Sequence, residues 1–146
     1  MKKFILPAFA FVLALSSCKK DDPASCEQTV AGIAASYKVT KVEQITAGIS
    51  QDITTTVLST CQRNAVIQLK SDKTFTYTES GTGCTDSGAG TWDVVSGKLT
   101  LTNTTGGGAD IDNATINSWN CSTLVVSEDV TAGGVTFSYR STLTKQ

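Results

Sequence analysis

Apolar and polar residues alternate along several short segments of this chain. Residues 74–78 read TFTYT and residues 98–102 read KLTLT, so aromatic or leucine side chains recur at every second position. Residues 135–140, VTFSYR, repeat the pattern with valine, phenylalanine and tyrosine. Such alternation is typical of a β-strand that buries one face and exposes the other. The pattern therefore predicts a strand in each of these segments.

Further strands are predicted where β-branched and aromatic residues recur between clusters of Gly, Ser, Asn and Asp. They cover residues 37–45, 53–58, 64–70, 90–95, 111–119 and 123–127. Residues 95–98, VSGK, predict a tight hairpin, and residues 29–36, TVAGIAAS, predict a short helix or turn. Hairpin-connected strands at this spacing favour an all-β antiparallel up-and-down barrel of about eight strands, because closure removes exposed sheet edges. A two-sheet β-sandwich is the alternative, since periodicity does not separate the two folds.

The first 17 residues combine a basic start with an apolar segment. Lys2 and Lys3 precede the uncharged segment FILPAFAFVLAL at residues 4–15. This segment is shorter than the roughly 20 residues of a membrane-spanning helix, and its flanks are typical of a secretory signal. We therefore expect residues 1–17 to be a signal peptide, residues 18–25 a linker and residues 26–146 one barrel domain.

The next residues resemble two bacterial export signals. Residues 15–18, LSSC, resemble the lipobox of bacterial lipoproteins, which implies cleavage before Cys18 and acylation of its sulfur and amine. Residues 19–22, KKDD, resemble the surface-export signal of Bacteroidetes-type lipoproteins. Together they imply a partnership with the lipid membrane through acylated Cys18, at the outer membrane, on the cell surface or else facing the periplasm. Secretion without lipidation and a merely solvated charged tether are the respective alternatives.

Four cysteines remain besides Cys18, namely Cys26, Cys61, Cys84 and Cys121. An even number in an exported protein predicts two disulfides, for which three pairings exist. We favour Cys61 with Cys84, because both flank one predicted hairpin, and this choice leaves Cys26 with Cys121. A zinc site is disfavoured, because the chain contains no C-x-x-C pair and no histidine.

The composition limits the chemistry that we expect. Without histidine the chain lacks the commonest general base and the Ser-His-Asp arrangement. The net charge is −1 and the lysines are scattered, so we expect no nucleic-acid partner. Asp110 and Asp112 are the candidate acidic pair, and we interpret them as polar loop residues rather than a calcium site. We therefore expect no enzyme activity, no metal and no cofactor.

Several short motifs are similar to the lipocalin-like domain of small Bacteroidetes lipoproteins. They are Cys61, then IQLKSDKTF at residues 67–75, Cys84, GTW at residues 90–92 and LTL at residues 99–101. The turn SDKT at residues 71–74 lacks the glycine that the family carries there. A second Gly-x-Trp, which the family often has in its first strand, is missing from GIAASY at residues 32–37. The resemblance covers roughly residues 26–145 and implies the barrel fold.

A lipocalin-like barrel implies an interior that holds a small hydrophobic ligand. The residues expected to contact it are the inward-facing side chains Ile67, Leu69, Phe75, Tyr77, Trp92, Val94, Leu99, Leu101, Val126, Phe137 and Tyr139. The same side chains would otherwise fill the barrel. In that case the protein is a structural or interaction module of the cell envelope, with a protein partner that the sequence does not identify.

Overall fold

The computed structural model describes residues 26–108 and 110–146. The helices in this part of the chain are α1 (Val30–Ile33), α2 (Thr54–Val57) and α3 (Thr60–Asn64). The strands are β1 (Ser36–Thr46), β2 (Ile49–Asp52), β3 (Val66–Leu69), β4 (Thr74–Thr78), β5 (Ser87–Val95), β6 (Lys98–Gly106), β7 (Ile111–Trp119), β8 (Thr123–Ala132) and β9 (Val135–Lys145). The expected signal peptide, the linker and Cys18 lie outside the described residues. Among the described helices, none has both the length and the apolar character that a membrane crossing requires.

Eight of the strands form a closed antiparallel barrel. Strands β3 to β9 pair in chain order, and β1 pairs with both ends of that series. Tyr37 of β1 lies opposite Ile67 of β3, and the pairing of β1 with β9 runs from Tyr37–Lys145 to Ile45–Ser138. β2 is an additional strand on the second half of β1. The predicted up-and-down barrel is confirmed, and the β-sandwich alternative is excluded.

The predicted strand positions hold except around α2. β4 and β7 have the predicted bounds, and β5, β6, β8 and β9 extend beyond them. The strand predicted at residues 53–58 is wrong, because these residues contain α2. Asp52 Oδ1 accepts hydrogen bonds from the amide of Thr54 at 2.9 Å and from its hydroxyl at 2.7 Å, which turns the chain out of β2. Side chains of this kind compete with the ladder for backbone groups.

The barrel is filled at the end that carries α1 and the β3–β4, β5–β6 and β7–β8 turns, which we call the closed end. Ile33 and Tyr37 are both 0% exposed there. The Tyr37 hydroxyl donates a hydrogen bond to the Ile33 carbonyl oxygen at 2.5 Å, and its ring meets Trp119 edge-on. Burial raises the pKa of Tyr37 to about 12. α1 and Tyr37 thus plug this end of the barrel.

The two disulfides hold opposite ends of the barrel, and both favoured pairings are confirmed. Cys26–Cys121 joins the segment before α1 to the β7–β8 turn at the closed end, with 5.2 Å between the Cα atoms. Cys61–Cys84 joins α3 to the β4–β5 connection at the other end. We call that end the mouth; it comprises α2, α3 and the β1–β2, β4–β5, β6–β7 and β8–β9 connections.

The glycine of the GTW motif has a packing role. A Cβ atom added to Gly90 would lie 2.0 Å from the Thr102 carbonyl oxygen and 2.7 Å from the Phe75 ring. No side chain fits there, since heavy atoms do not approach so closely in a packed interior. The SDKT turn contains no glycine, and Lys73 itself adopts the left-handed conformation there, with φ of 66°.

Candidate functional site

The barrel interior contains a cavity of about 430 Å³ between the closed end and the mouth. Its lining comes from most barrel strands, from α3 and from the connections at the mouth. The lining residues are Val39, Val42, Leu58, Gln62, Ile67, Phe75, Tyr77, Asp86, Leu101, Gly107, Gly108, Asp110, Ile111, Val126, Ser127, Glu128, Tyr139, Ser141 and Leu143.

The most buried part of this lining is apolar. Phe75, Leu101, Val126 and Leu143 are each less than 5% exposed. They point inward because strand side chains alternate between the two faces, and the threonines next to Phe75, Leu101 and Leu143 take the outer face. The walls therefore present hydrocarbon surface, which is the usual lining of a site for a small molecule.

The mouth of the cavity carries negative charge. Asp86, Asp110 and Glu128 all line it. Asp110 Oδ1 accepts a hydrogen bond from the Asn103 amide at 2.6 Å, and Glu128 Oε1 accepts one from the Asp112 amide at 3.0 Å. These bonds hold two of the three carboxylates in place at the rim.

Tyr77 connects the apolar wall to the acidic rim. Its hydroxyl donates a hydrogen bond to Glu79 Oε1 at 2.8 Å. Burial, then the bond to Glu79 and the negative charges of Glu79 and Asp86, raise the pKa of Tyr77. The phenol therefore stays protonated at neutral pH, with its proton directed at Glu79.

The helical segment between β2 and β3 forms one side of the mouth. Ser59 and Gln62 make a capping box, with 3.2 Å from the Gln62 amide to Ser59 Oγ and 2.8 Å from the Ser59 amide to Gln62 Oε1. Reciprocal bonds of this kind satisfy the free amides of a helix start. Together with the Cys61–Cys84 disulfide, they fix Leu58 and Gln62 at the cavity.

Six of the eleven residues expected to contact a ligand line this cavity, namely Ile67, Phe75, Tyr77, Leu101, Val126 and Tyr139. Leu69, Trp92, Val94 and Leu99 do not line it. They belong to, or pack against, the hydrophobic core next to the cavity. Phe137 does not line the cavity either; it packs edge-on against Tyr139, one inward position farther along β9 toward the mouth. The structure therefore places these five residues outside the lining of the cavity.

Two sets of the lining residues that the sequence did not indicate have an identifiable reason. Val39 and Val42 lie on β1, whose alternation is broken by a register shift between Val39 and Lys41. Leu58, Asp86 and Asp110 lie in connections, where periodicity gives no signal. Asp110 was interpreted as a polar loop residue; it lies in the β6–β7 connection and also lines the cavity.

A metal site was not expected, and the described residues contain one group of three potential ligands. Cys61, Glu79 and Cys84 have ligand atoms within 4.8 Å of one another. Both cysteines are joined in a disulfide, so neither offers the thiolate that binds metals. Asp110 and Asp112 are not part of such a group. Asp112 Oδ1 instead accepts a hydrogen bond from the side-chain Nδ2 of Asn113 at 2.7 Å.

Comparison with known proteins identifies one family. The family model described as a lipocalin-like domain matches residues 33–126. The match begins at the last residue of α1 and ends within β8, so it includes most strands that line the cavity. Neither the curated proteins nor the solved structures gave a match to the chain.

Proposed function

The chain belongs to the lipocalin-like domain family, and from this premise we propose that its barrel binds a small hydrophobic molecule. The observation that carries the proposal is the cavity of about 430 Å³ with apolar walls. Cavities of roughly 300–1,000 Å³ suit small-molecule ligands. An interior that leaves this volume open also supports a ligand carrier over a module with a filled barrel.

We propose further that the protein is a non-enzymatic lipoprotein of the outer membrane. The lipobox-like segment that ends in Cys18 supports the anchor, since each buried methylene of an acyl chain contributes about 0.8 kcal/mol. The two disulfides support an oxidising compartment outside the cytoplasm. Mass spectrometry of the protein purified from its own envelope tests the anchor, because acylated Cys18 carries a diacyl or triacyl mass.

Ligand binding is tested with a neutral fluorescent probe, N-phenyl-1-naphthylamine, in detergent-free buffer. We expect the purified protein to enhance its fluorescence saturably. Ser141→Phe should weaken binding by roughly tenfold, equivalent to about 1.4 kcal/mol, because Ser141 lines the cavity and the larger ring occupies its volume.

The matched control is Ser118→Phe, which places the same ring on the exposed face of β7. It should leave probe affinity unchanged. Circular dichroism checks that both variants remain folded. Equal affinities of the two folded variants would place the probe elsewhere and contradict a binding site inside the barrel.

A further inference from the structure

We propose that the ligand is an amphipathic cation, meaning an organic ammonium group joined to an apolar body. This inference rests on the proposed binding function and adds the chemical class of the ligand. It is carried by the charge distribution of the cavity, which is apolar where it is buried and acidic at the mouth.

Three carboxylates and no basic side chain appear among the described residues that line the cavity. The basic residues adjacent in sequence to lining positions are Lys38, Lys41, Arg63 and Arg140, and none of them lines it. Lys41 and Arg140 instead face Glu43 on the outside of β1, at 2.8 and 3.9 Å. Arg63 donates to Thr60 Oγ1 within α3. Among the described residues, none of these four side chains forms an ion pair with Asp86, Asp110 or Glu128.

Tyr77 adds a second, independent preference. The Glu79 carboxylate is an acceptor only, so the Tyr77 hydroxyl proton is used in the bond to Glu79. The phenol oxygen then retains only lone pairs for any other partner. A ligand that reaches Tyr77 meets an acceptor, which suits the N–H donors of an ammonium group and disfavours an anion.

The three carboxylates suit a diffuse organic cation better than a metal ion. Asp86, Asp110 and Glu128 do not form a group whose ligand atoms all lie within 4.8 Å of one another. A divalent ion requires oxygen ligands at about 2.0–2.6 Å around a single point. An ammonium group with an apolar tail instead gains from a negative field at the rim and from the hydrocarbon walls below it.

The test is a competition series in which only the head group changes. Decylamine, decanol and decanoate share one chain length and are cationic, neutral and anionic at neutral pH. Each compound is titrated into the purified protein with bound N-phenyl-1-naphthylamine, and displacement of the probe is measured. We expect decylamine to bind about fivefold or more tightly than decanol, since three surface-type charge pairs are worth about 1 kcal/mol in sum, and decanoate to bind most weakly. In 1 M salt, where the Debye length is about 3 Å, the preference should shrink.

A matched pair of triple variants locates the preference. Asp86→Asn, Asp110→Asn and Glu128→Gln together remove the rim charge, while the amide oxygens can still accept the bonds from Asn103 and Asp112. This variant should bind decylamine and decanol equally. The control, Glu27→Gln, Asp72→Asn and Asp93→Asn, makes the same change in net charge at residues that do not line the cavity, and it should keep the preference.

The outcomes separate this inference from the binding function. Displacement of the probe with equal affinity for the three compounds would overturn the cationic ligand and leave the binding function intact. Loss of the preference in both triple variants would assign it to net charge and overturn the role of the rim. If the probe does not bind, the protein is titrated with decylamine in a calorimeter. Binding of decylamine would retain the proposal of a cationic ligand, for a site that excludes the probe. No binding would overturn both proposals.

Discussion

The two tryptophans of the barrel have similar burial and different hydrogen bonding. Trp92 is 2% exposed and Trp119 is 8% exposed. Trp92 Nε1 donates to the Lys70 carbonyl oxygen at 2.9 Å, which ties β5 to the β3–β4 turn. Trp119 Nε1 is buried and has no hydrogen-bond partner among the described residues. An unsatisfied buried donor is destabilising, whereas a satisfied one stabilises modestly.

The substitution Trp→Phe should therefore have unequal effects at the two positions. Both variants lose similar ring volume, so the difference isolates the indole N–H. We expect Trp92→Phe to lower the free energy of unfolding by about 1–2 kcal/mol more than Trp119→Phe. Urea unfolding followed by circular dichroism measures both values. Equal losses would show that the bond to Lys70 contributes nothing.

The sequence predicted which residues face inward but not how far each lies along the barrel. Leu99 and Leu101 are both inward on β6, and alternation assigns them correctly to that face. Only Leu101 lines the cavity, because Leu99 lies two residues nearer the β5–β6 turn at the closed end. Period two determines the face of a strand and carries no information on height, which depends on strand stagger and on where α1 packs.

At the scale of the structural elements, the two disulfides hold different ends of the barrel. Cys26–Cys121 closes a loop with a sequence separation of 95 and lies at the closed end, away from the cavity. Cys61–Cys84 closes a loop with a separation of 23 and holds α3 at the mouth. By the chain-entropy model the first stabilises by about 5 kcal/mol and the second by about 3 kcal/mol.

Removal of each disulfide should separate stability from binding. Cys26→Ala with Cys121→Ala should cause the larger loss of unfolding free energy and leave probe affinity unchanged under folding conditions. Cys61→Ala with Cys84→Ala should cause the smaller loss of unfolding free energy. It should weaken probe binding by roughly three- to tenfold, because α3 is then held at the cavity for only part of the time. Thermal melts and probe titrations measure both quantities. Weaker probe binding in the Cys26/Cys121 variant, with unchanged binding in the Cys61/Cys84 variant, would contradict the position of the cavity.

Element prediction succeeded where alternation was clean and failed between β1 and β3. β4 has alternating burial and was predicted with its bounds. β7 was also predicted with its bounds, although a register shift between Ile116 and Ser118 interrupts its alternation. All four residues of β2 are exposed, so no buried face marked it as a strand. Residues 54–57, TTTV, have the composition of a strand, but the Asp52 bonds to Thr54 start a helix there. A local side-chain hydrogen bond just before the helix therefore overrode local β-propensity.

At the scale of the whole molecule, Cys26, the first described residue, and the mouth lie at opposite ends of the barrel. The described chain begins at Cys26, which is bonded to Cys121 at the closed end. Asp86, Asp110 and Glu128 lie at the mouth. The seven residues between Cys18 and Cys26 span, with the bond to Cys26, at most about 28 Å when extended. A lipid on Cys18 would thus keep the closed end within about 28 Å of the bilayer.

This arrangement predicts an orientation on the membrane. Val95 beside the closed end and Val135 beside the mouth are 62% and 54% exposed, which makes them a matched pair for labelling. Acylated protein that carries a fluorophore at Val95→Cys or Val135→Cys is reconstituted on vesicles with quencher-bearing lipids. We expect strong quenching at position 95 and weak quenching at position 135. Equal quenching would show that the barrel lies on its side.

For the proposed lipid anchor and ligand, the same separation of tether and mouth would determine where the ligand comes from. With the mouth directed away from the bilayer, exchange would take place with the surrounding water, and the supply would depend on the free aqueous concentration of the ligand. The membrane then competes with the barrel, since a strongly partitioning amphiphile is stored in lipid instead of being delivered by it. Such a protein would capture molecules arriving from outside before they reach the lipid surface to which it is attached.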